Sequence, residues 1–262
     1  MKPVIILDKS YLEGQRGSVI RQLCADYSVL MLETLFMELL TTAEFQAACF
    51  KKFPETENPV DLIDGISSLL RYEIENRRPA NPIFDHRLLI RFVFNDKLAS
   101  GNYIYSPDQL VEMQRWEMQI LEDVDYLKTN AEVTHEWFPT LDNYKPGQPP
   151  DEINRIRNEI ANNNDLILDI YAKIRHETFP ASELLSPDWA FFRWVQVRLL
   201  NSVEFIRRYG SGRSNVESRE IPQDVADSQY LLCASLAGGL ATRDAPLKQE
   251  FRLLCPNGLL LD

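Results

Sequence analysis

Two short runs near the N-terminus constrain this chain more than any other feature. VIILD at 4–8 is apolar and rich in β-branched residues up to its closing Asp8, and YSVLML at 27–32 is a second apolar run after a helical stretch near 18–25. A run that is apolar on both faces suits a strand covered on both faces, as in the middle of a parallel sheet. From Glu33 to about Lys52 the spacing becomes helical, with Leu35, Phe36, Leu39 and Leu40 three and four residues apart. At the other end a helix over about 225–237 leads to a short strand, GLATR at 239–243, and then to FRLLCP at 251–256. Strand, helix and strand alternating at both termini predict an open, mainly parallel α/β sheet flanked by helices.

The middle of the chain reads differently. Asn58-Pro59, Ser106-Pro107 and Ser186-Pro187 each set a capping side chain before a proline, a pattern that predicts three helix starts. Ser106 with Gln109 also fits a capping box. The Ser106 helix is expected to reach the region of Trp137, a further helix to run from Asp151 to about Glu177, and the Ser186 helix to stop at Gly210. These signals divide the chain into a first core part at 1–53, a large all-helical insertion at 54–214 and a second core part at 215–262.

Composition narrows the function classes. With 39 acidic against 28 basic residues the net charge is −11, which argues against a general, sequence-independent grip on nucleic acid through a basic surface and leaves a local basic patch open. Cys24, Cys49, Cys233 and Cys255 show no C-x-x-C spacing and lie in apolar stretches, so neither a zinc site nor a disulfide framework is expected and a reducing cytoplasm fits. No run of about 18 apolar residues occurs, so no membrane association is expected.

Several acids fall at informative places. Asp8 and Asp244 each follow a predicted strand, and if those strands are parallel both carboxylates lie at the carboxyl edge, where open α/β folds bind ligands. Asp224 sits at the expected N-cap of the 225–237 helix and Asp227 in its first turn, where both also serve as ordinary capping residues. The histidines His86, His135 and His176 have no metal-ligand spacing, and AGG at 237–239 reads as a helix stop rather than a phosphate loop. A phosphatase of the haloacid dehalogenase type would need a second Asp two residues after Asp8, where Ser10 stands.

Taken together the constellation resembles the PIN-domain nucleases. VIILDKS supplies an Asp closing the first strand with Ser10 two residues on; LETLFMELL supplies Glu38-Leu39 in the helix after the second strand; DSQYLLCASLAGGLATRD supplies Asp227, Thr242 and Asp244. The resemblance covers about 50 residues at the N-terminus and about 45 at the C-terminus, not the helical middle. It implies a PIN-like core in which Asp8, Glu38, Asp227 and Asp244 are catalytic and metal-binding. Glu33 competes with Glu38, since five positions place them about 140° apart on a helix, and Asp224 competes with Asp227. Ser10 and Thr242 would orient an acid or a metal-bound water, although a strand-end hydroxyl is as often a turn residue. Converging carboxylates repel one another, and hard oxygen donors without His or Cys suit Mg²⁺ or Mn²⁺.

Candidate phosphate contacts come from the helix after Ser186, where about 100° per residue places Arg193, Gln196, Glu204, Arg207 and Arg208 on one broad face. Arg213 and Arg243 join them as substrate-binding candidates, against the plainer reading of a solvated or salt-bridged polar face. The expectation from the resemblance is thus a metal-dependent endoribonuclease acting on an RNA substrate, of the kind found among bacterial toxins and defence nucleases. A non-catalytic PIN-like module that binds a protein partner or inhibitor is the alternative, and a structure-specific DNA nuclease ranks below both.

Overall fold

The computed structural model describes residues 2–212, 216–218 and 220–262. In chain order the first elements are β1 (Val4–Leu7), α1 (Lys9–Gly14), α2 (Gly17–Asp26), β2 (Ser28–Leu32), α3 (Glu33–Thr41), α4 (Ala43–Phe50), β3 (Asp61–Ile63) and α5 (Ile66–Asn76). There follow α6 (Asp96–Ser100), α7 (Pro107–Val133), α8 (Asp151–Asn162), α9 (Asn164–Ile174), α10 (Ala190–Tyr209), α11 (Ile221–Ala237), β4 (Gly239–Ala241), α12 (Ala245–Leu254) and β5 (Leu259–Leu261). Two compact units result: a sheet unit of Met1–Leu69, Asn81–Glu117 and Cys233–Asp262, and a helical unit of Leu70–Ala80 and Met118–Leu232. Among the described residues no helix is long and apolar enough to cross a membrane.

In the sheet unit the described strands form one five-stranded sheet in the order β3-β2-β1-β4-β5, with every neighbouring pair parallel. The α/β class with a parallel sheet agrees with the apolar runs. Ile5, Ile6 and Leu7 of β1, with Leu30 and Met31 of β2 and Leu240 and Ala241 of β4, are completely shielded from solvent. The chain builds outward from β1 in both directions, through β2 to β3 and, much later, through β4 to β5. Such a reversal opens a crevice at the carboxyl ends of the two central strands. Gly239 makes that pairing feasible: a Cβ at this position would lie 2.3 Å from the Val4 carbonyl oxygen.

The helical unit packs α8, α9 and α10 against one another. Ile153, Ile156 and Ile160 share the buried face of α8 at helical spacing, and Ile167, Ile170 and Tyr171 do the same on α9. Glu73 is fully buried here. Its Oε1 accepts the N–H groups of Ala80 at 2.8 Å and Ala190 at 2.6 Å, and its Oε2 accepts that of Phe191 at 3.0 Å. Those last two donors are the otherwise unpaired N–H groups at the start of α10, so Glu73 caps that helix from far away in the sequence.

Several local expectations are corrected. Asn58-Pro59 starts no helix: the Asn58 amide clamps the neighbouring segment, donating to the Ile90 carbonyl and accepting from Phe92 N–H, and the chain continues into β3. The stretch expected to be an all-helical insertion therefore contributes an edge strand to the sheet. Ser106 does open α7 with its reciprocal Gln109 bonds, at 3.2 and 2.9 Å. The helix expected from Asp151 is broken at Asn163, whose side chain caps α9 through Leu166 N–H. Ser186 and Pro187 form a turn, and α10 begins three residues after Pro187 under the Glu73 cap. FRLLCP at 251–256, expected to continue the strand–helix alternation, falls mostly in α12, and the last strand is β5, whose three residues carry no strong sequence signal.

Gly239→Ala should lower stability by about 1–3 kcal/mol, because the new methyl meets backbone rather than a yielding side chain; urea unfolding measures it. A second expectation concerns pH. Burial pushes the Glu73 carboxyl up to about 7 from its ordinary 4.5, against the pull of its three backbone donors. The unfolded chain therefore loses this proton first, so the group's contribution to stability is full below about pH 4.5 and declines up to about pH 7. Unfolding measured from about pH 4 to 8 should show this decline in the native protein and a flatter slope in Glu73→Gln.

Candidate functional site

At their carboxyl ends β1 and β4 lie side by side, with Leu7 paired to Ala241 and the Asp8 N–H donating to the Ala241 carbonyl at 3.0 Å. This places Asp8 next to Thr242 although 234 residues separate them. Asp8 precedes α1 but its side chain does not cap that helix. Instead its Oδ2 accepts two hydroxyl bonds, from Ser10 Oγ at 2.5 Å and from Thr242 Oγ1 at 2.6 Å. Those hydroxyls in turn accept backbone donors: Ser10 Oγ takes the N–H of Arg243 at 2.9 Å and of Asp244 at 3.1 Å, and Thr242 Oγ1 takes that of Asp244 at 3.0 Å. With their oxygens receiving N–H groups, both hydroxyls are free to direct their protons at Asp8, which is the polarity an ionised carboxylate needs.

Asp8 is almost completely buried. Burial raises its carboxyl above the ordinary value, the two hydroxyls and the Lys9 N–H pull it down, and the charge of Asp244 pushes it up again. Asp8 and Asp244 thus feel each other as like charges at the same edge of the sheet. Asp244 has a second task, since its Oδ1 accepts Leu247 N–H at 2.7 Å and caps α12. The cap uses one oxygen of the carboxylate.

The remaining expected acids are disposed differently. Glu38 is buried on α3, and the Lys9 ammonium stands 3.6 Å from its Oε1, so a cation of the chain itself already faces it. Lys9 was not anticipated, although its place directly after Asp8 is the signal that could have found it. Glu33 is exposed at the start of α3 and accepts Gly65 N–H at 3.2 Å. Asp224 and Asp227 belong to the helical unit. Because α11 begins at Ile221, Asp224 lies within its first turn rather than at its N-cap, and it accepts both Arg208 Nη1 bonds at 3.0 Å. Asp227 accepts from Gln223 at 3.1 Å. Among the described residues no group of three or more His, Cys, Asp or Glu is gathered to hold a metal. In the sheet unit Asp8 and Asp244 are coupled only through space, with Asp244 the smallest influence on the Asp8 carboxyl, and Glu38 is engaged by Lys9.

The arginines expected to meet phosphate are largely engaged within the protein. Arg207 forms a two-point pair with Glu204 at 2.7 and 2.6 Å, and Arg208 bridges Glu204 and Asp224. Burial alone would raise the Glu204 carboxyl, but these two arginines more than offset it and hold it below the ordinary value. Arg193 donates to the Pro187 carbonyl and to Gln196, which is buried rather than exposed. Arg243 is exposed and reaches the Gly14 carbonyl at 3.1 Å. Arg213 lies outside the described residues.

If Asp8 and Asp244 share one site, Asp244→Asn should lower the Asp8 pKa by removing a like charge, whereas Ser10→Ala should raise it by removing a donor. Carboxyl chemical shifts followed through a pH titration read both changes, and an Asp8 titration indifferent to Asp244→Asn would dissolve the pair. No protein-family model, curated protein or solved structure matches the chain, so the site stands on its own geometry.

Proposed function

We propose that this protein is a metal-dependent nuclease whose centre is the Asp8–Asp244 pair, with RNA as the substrate that the PIN-like resemblance favours. The observation that carries the reading is the pair itself: two acids from opposite ends of the chain brought to the carboxyl ends of adjacent parallel strands, where the sheet order reverses. Asp8 and Asp244 would hold Mg²⁺ or Mn²⁺, with Glu38 joining if Lys9 turns away and Asp227 expected from the resemblance alone. When bound, the ion would supply an acidified water and positive charge for a phosphodiester. Ser10 and Thr242 pull the Asp8 carboxyl down against burial and fix its orientation, which makes them positioning residues. A toxin or defence role follows the same resemblance, and cysteines without a disulfide pattern fit a reducing cytoplasm.

A second reading is favoured by one observation. The ammonium of Lys9 beside Glu38 does part of the work a metal would do, and it suits a non-catalytic module that binds a protein partner.

Asp8→Asn is nearly isosteric and should abolish most Mn²⁺-dependent cleavage of a broad RNA panel, and Thr242→Val should lower it by about 10–100-fold. Mn²⁺ should also raise the melting temperature of the native protein more than that of Asp244→Asn. Cleavage undiminished in Asp8→Asn overturns this centre. Cleavage confined to DNA substrates replaces RNA by DNA, and a native protein with neither cleavage nor a Mn²⁺ shift is the interaction module.

A further inference from the structure

The segment 87–95, RLLIRFVFN, is apolar at six of its nine positions, yet much of it faces solvent. It lies along the outer side of β3, with Arg87 bridged antiparallel to Ile63 and the Leu88 N–H donating to the Leu62 carbonyl at 2.8 Å. Further along, Asn58 becomes its neighbour. The Phe92 carbonyl accepts the Asn58 N–H at 2.8 Å, the Ile90 carbonyl accepts Asn58 Nδ2 at 3.0 Å, and the Phe92 N–H donates to Asn58 Oδ1 at 2.9 Å. Bonding thus falls on Leu88, Ile90 and Phe92, every second residue, which is the period of an extended strand. The same alternation sorts the side chains. The ring centres of Phe92 and Phe94 are 5.4 Å apart, and that of Phe94 lies 4.9 and 5.0 Å from those of the buried Phe50 and Phe53.

One edge and one face of the segment are left open. Among the described residues no hydrogen bond takes the N–H or carbonyl of Leu89, Arg91 or Val93. Their side chains turn to solvent: Leu89 is 86% and Val93 60% exposed, and the Arg91 side chain is 89% exposed. Glu57 stands 3.3 Å from Arg91 Nε, but so exposed an ion pair holds its partners weakly. A row of unpaired backbone groups beside apolar side chains is a template for another strand.

Charge selects which strand. A second copy of the chain, set antiparallel so that Leu89 meets Val93, would bring Arg91 opposite Arg91, and each copy carries a net charge of −11. An acidic side chain at that point meets the arginine favourably. We propose that the 88–93 edge binds an extended peptide of another protein by strand addition, with an acidic residue opposite Arg91 and apolar residues two positions to either side, against Leu89 and Val93. Backbone bonds to Leu89, Arg91 and Val93 supply the attachment, and the alternate side chains supply the selection. The proposal is independent of the nuclease reading.

The test is calorimetric titration of the full chain with end-capped heptapeptides: TVTETVT, its lysine counterpart TVTKTVT, and TVTETVT carrying one N-methyl group. The first should bind saturably at about 1 mM or tighter, and the lysine peptide at least about 10-fold more weakly. Methylating the glutamate nitrogen removes a donor aimed at the edge and should abolish measurable binding. Methylating the nitrogen of the threonine that follows, which points away, should change the affinity by less than about 3-fold. Arg91→Glu, an exposed change, should reverse the order of the glutamate and lysine peptides. Absence of saturable binding, equal binding of those two peptides, or indifference to methylation at the glutamate would each overturn the proposal. A native dimer in sedimentation that Leu89→Lys converts to monomer would assign the edge to a second copy and overturn it likewise.

Discussion

The parallel pairing of β1 with β4 is the constraint on which the candidate centre depends. It joins the N-terminal strand to one more than 230 positions later, and Gly239 permits the approach because any side chain there would strike the Val4 carbonyl. The register puts Leu7 opposite Ala241 and therefore Asp8 beside Thr242. A shift of one residue would turn Thr242 to the other face of the sheet and break the hydroxyl bond to Asp8. Folding the sheet and assembling the site are in this sense one event.

Two buried carboxylates show how differently such groups can be used. Glu73 has both oxygens taken by backbone N–H groups that belong to a helix start and a neighbouring segment. Its partners cannot leave without unravelling local structure, which marks it as an internal cap. Asp8 is held mainly by two hydroxyls that backbone N–H groups orient, and the charge of Asp244 raises its carboxyl slightly further. The first arrangement is closed by backbone donors, while the second is held by side-chain donors.

The same accounting applies to the cations. Arg207 and Arg208 meet Glu204 and Asp224, so the polar face of α10 is neutralised where it stands and accords with the salt-bridged alternative for these residues. Lys9 meets Glu38. Arg198 differs, since the Tyr126 and Trp194 rings flank its guanidinium and its Nη1 is buried without a hydrogen-bond partner.

Sequence alone determined the class of the fold, because VIIL and SVLML are apolar on both faces and only a covered parallel strand uses such runs well. It also determined that Asp8 closes a strand and that Ser106 with Gln109 opens a helix, since these depend on neighbours within a few residues, whereas Asp244, expected to close a strand, lies three residues past β4 and caps α12. The edge strands escaped it: three-residue segments such as β3 and β5 are defined by what they pair with, and their composition carries little signal. Tertiary structure decided which acid does what. Only the packed chain shows that Asp8 takes the hydroxyls of Ser10 and Thr242, that Asp244 also caps α12, and that Glu38 faces Lys9. It alone made Glu73 the cap of α10 and left Arg198 Nη1 and Ser202 Oγ buried without hydrogen-bond partners. Local propensity acts over a few residues, whereas the partner of a buried polar group is chosen by whatever the fold brings within about 3 Å of it.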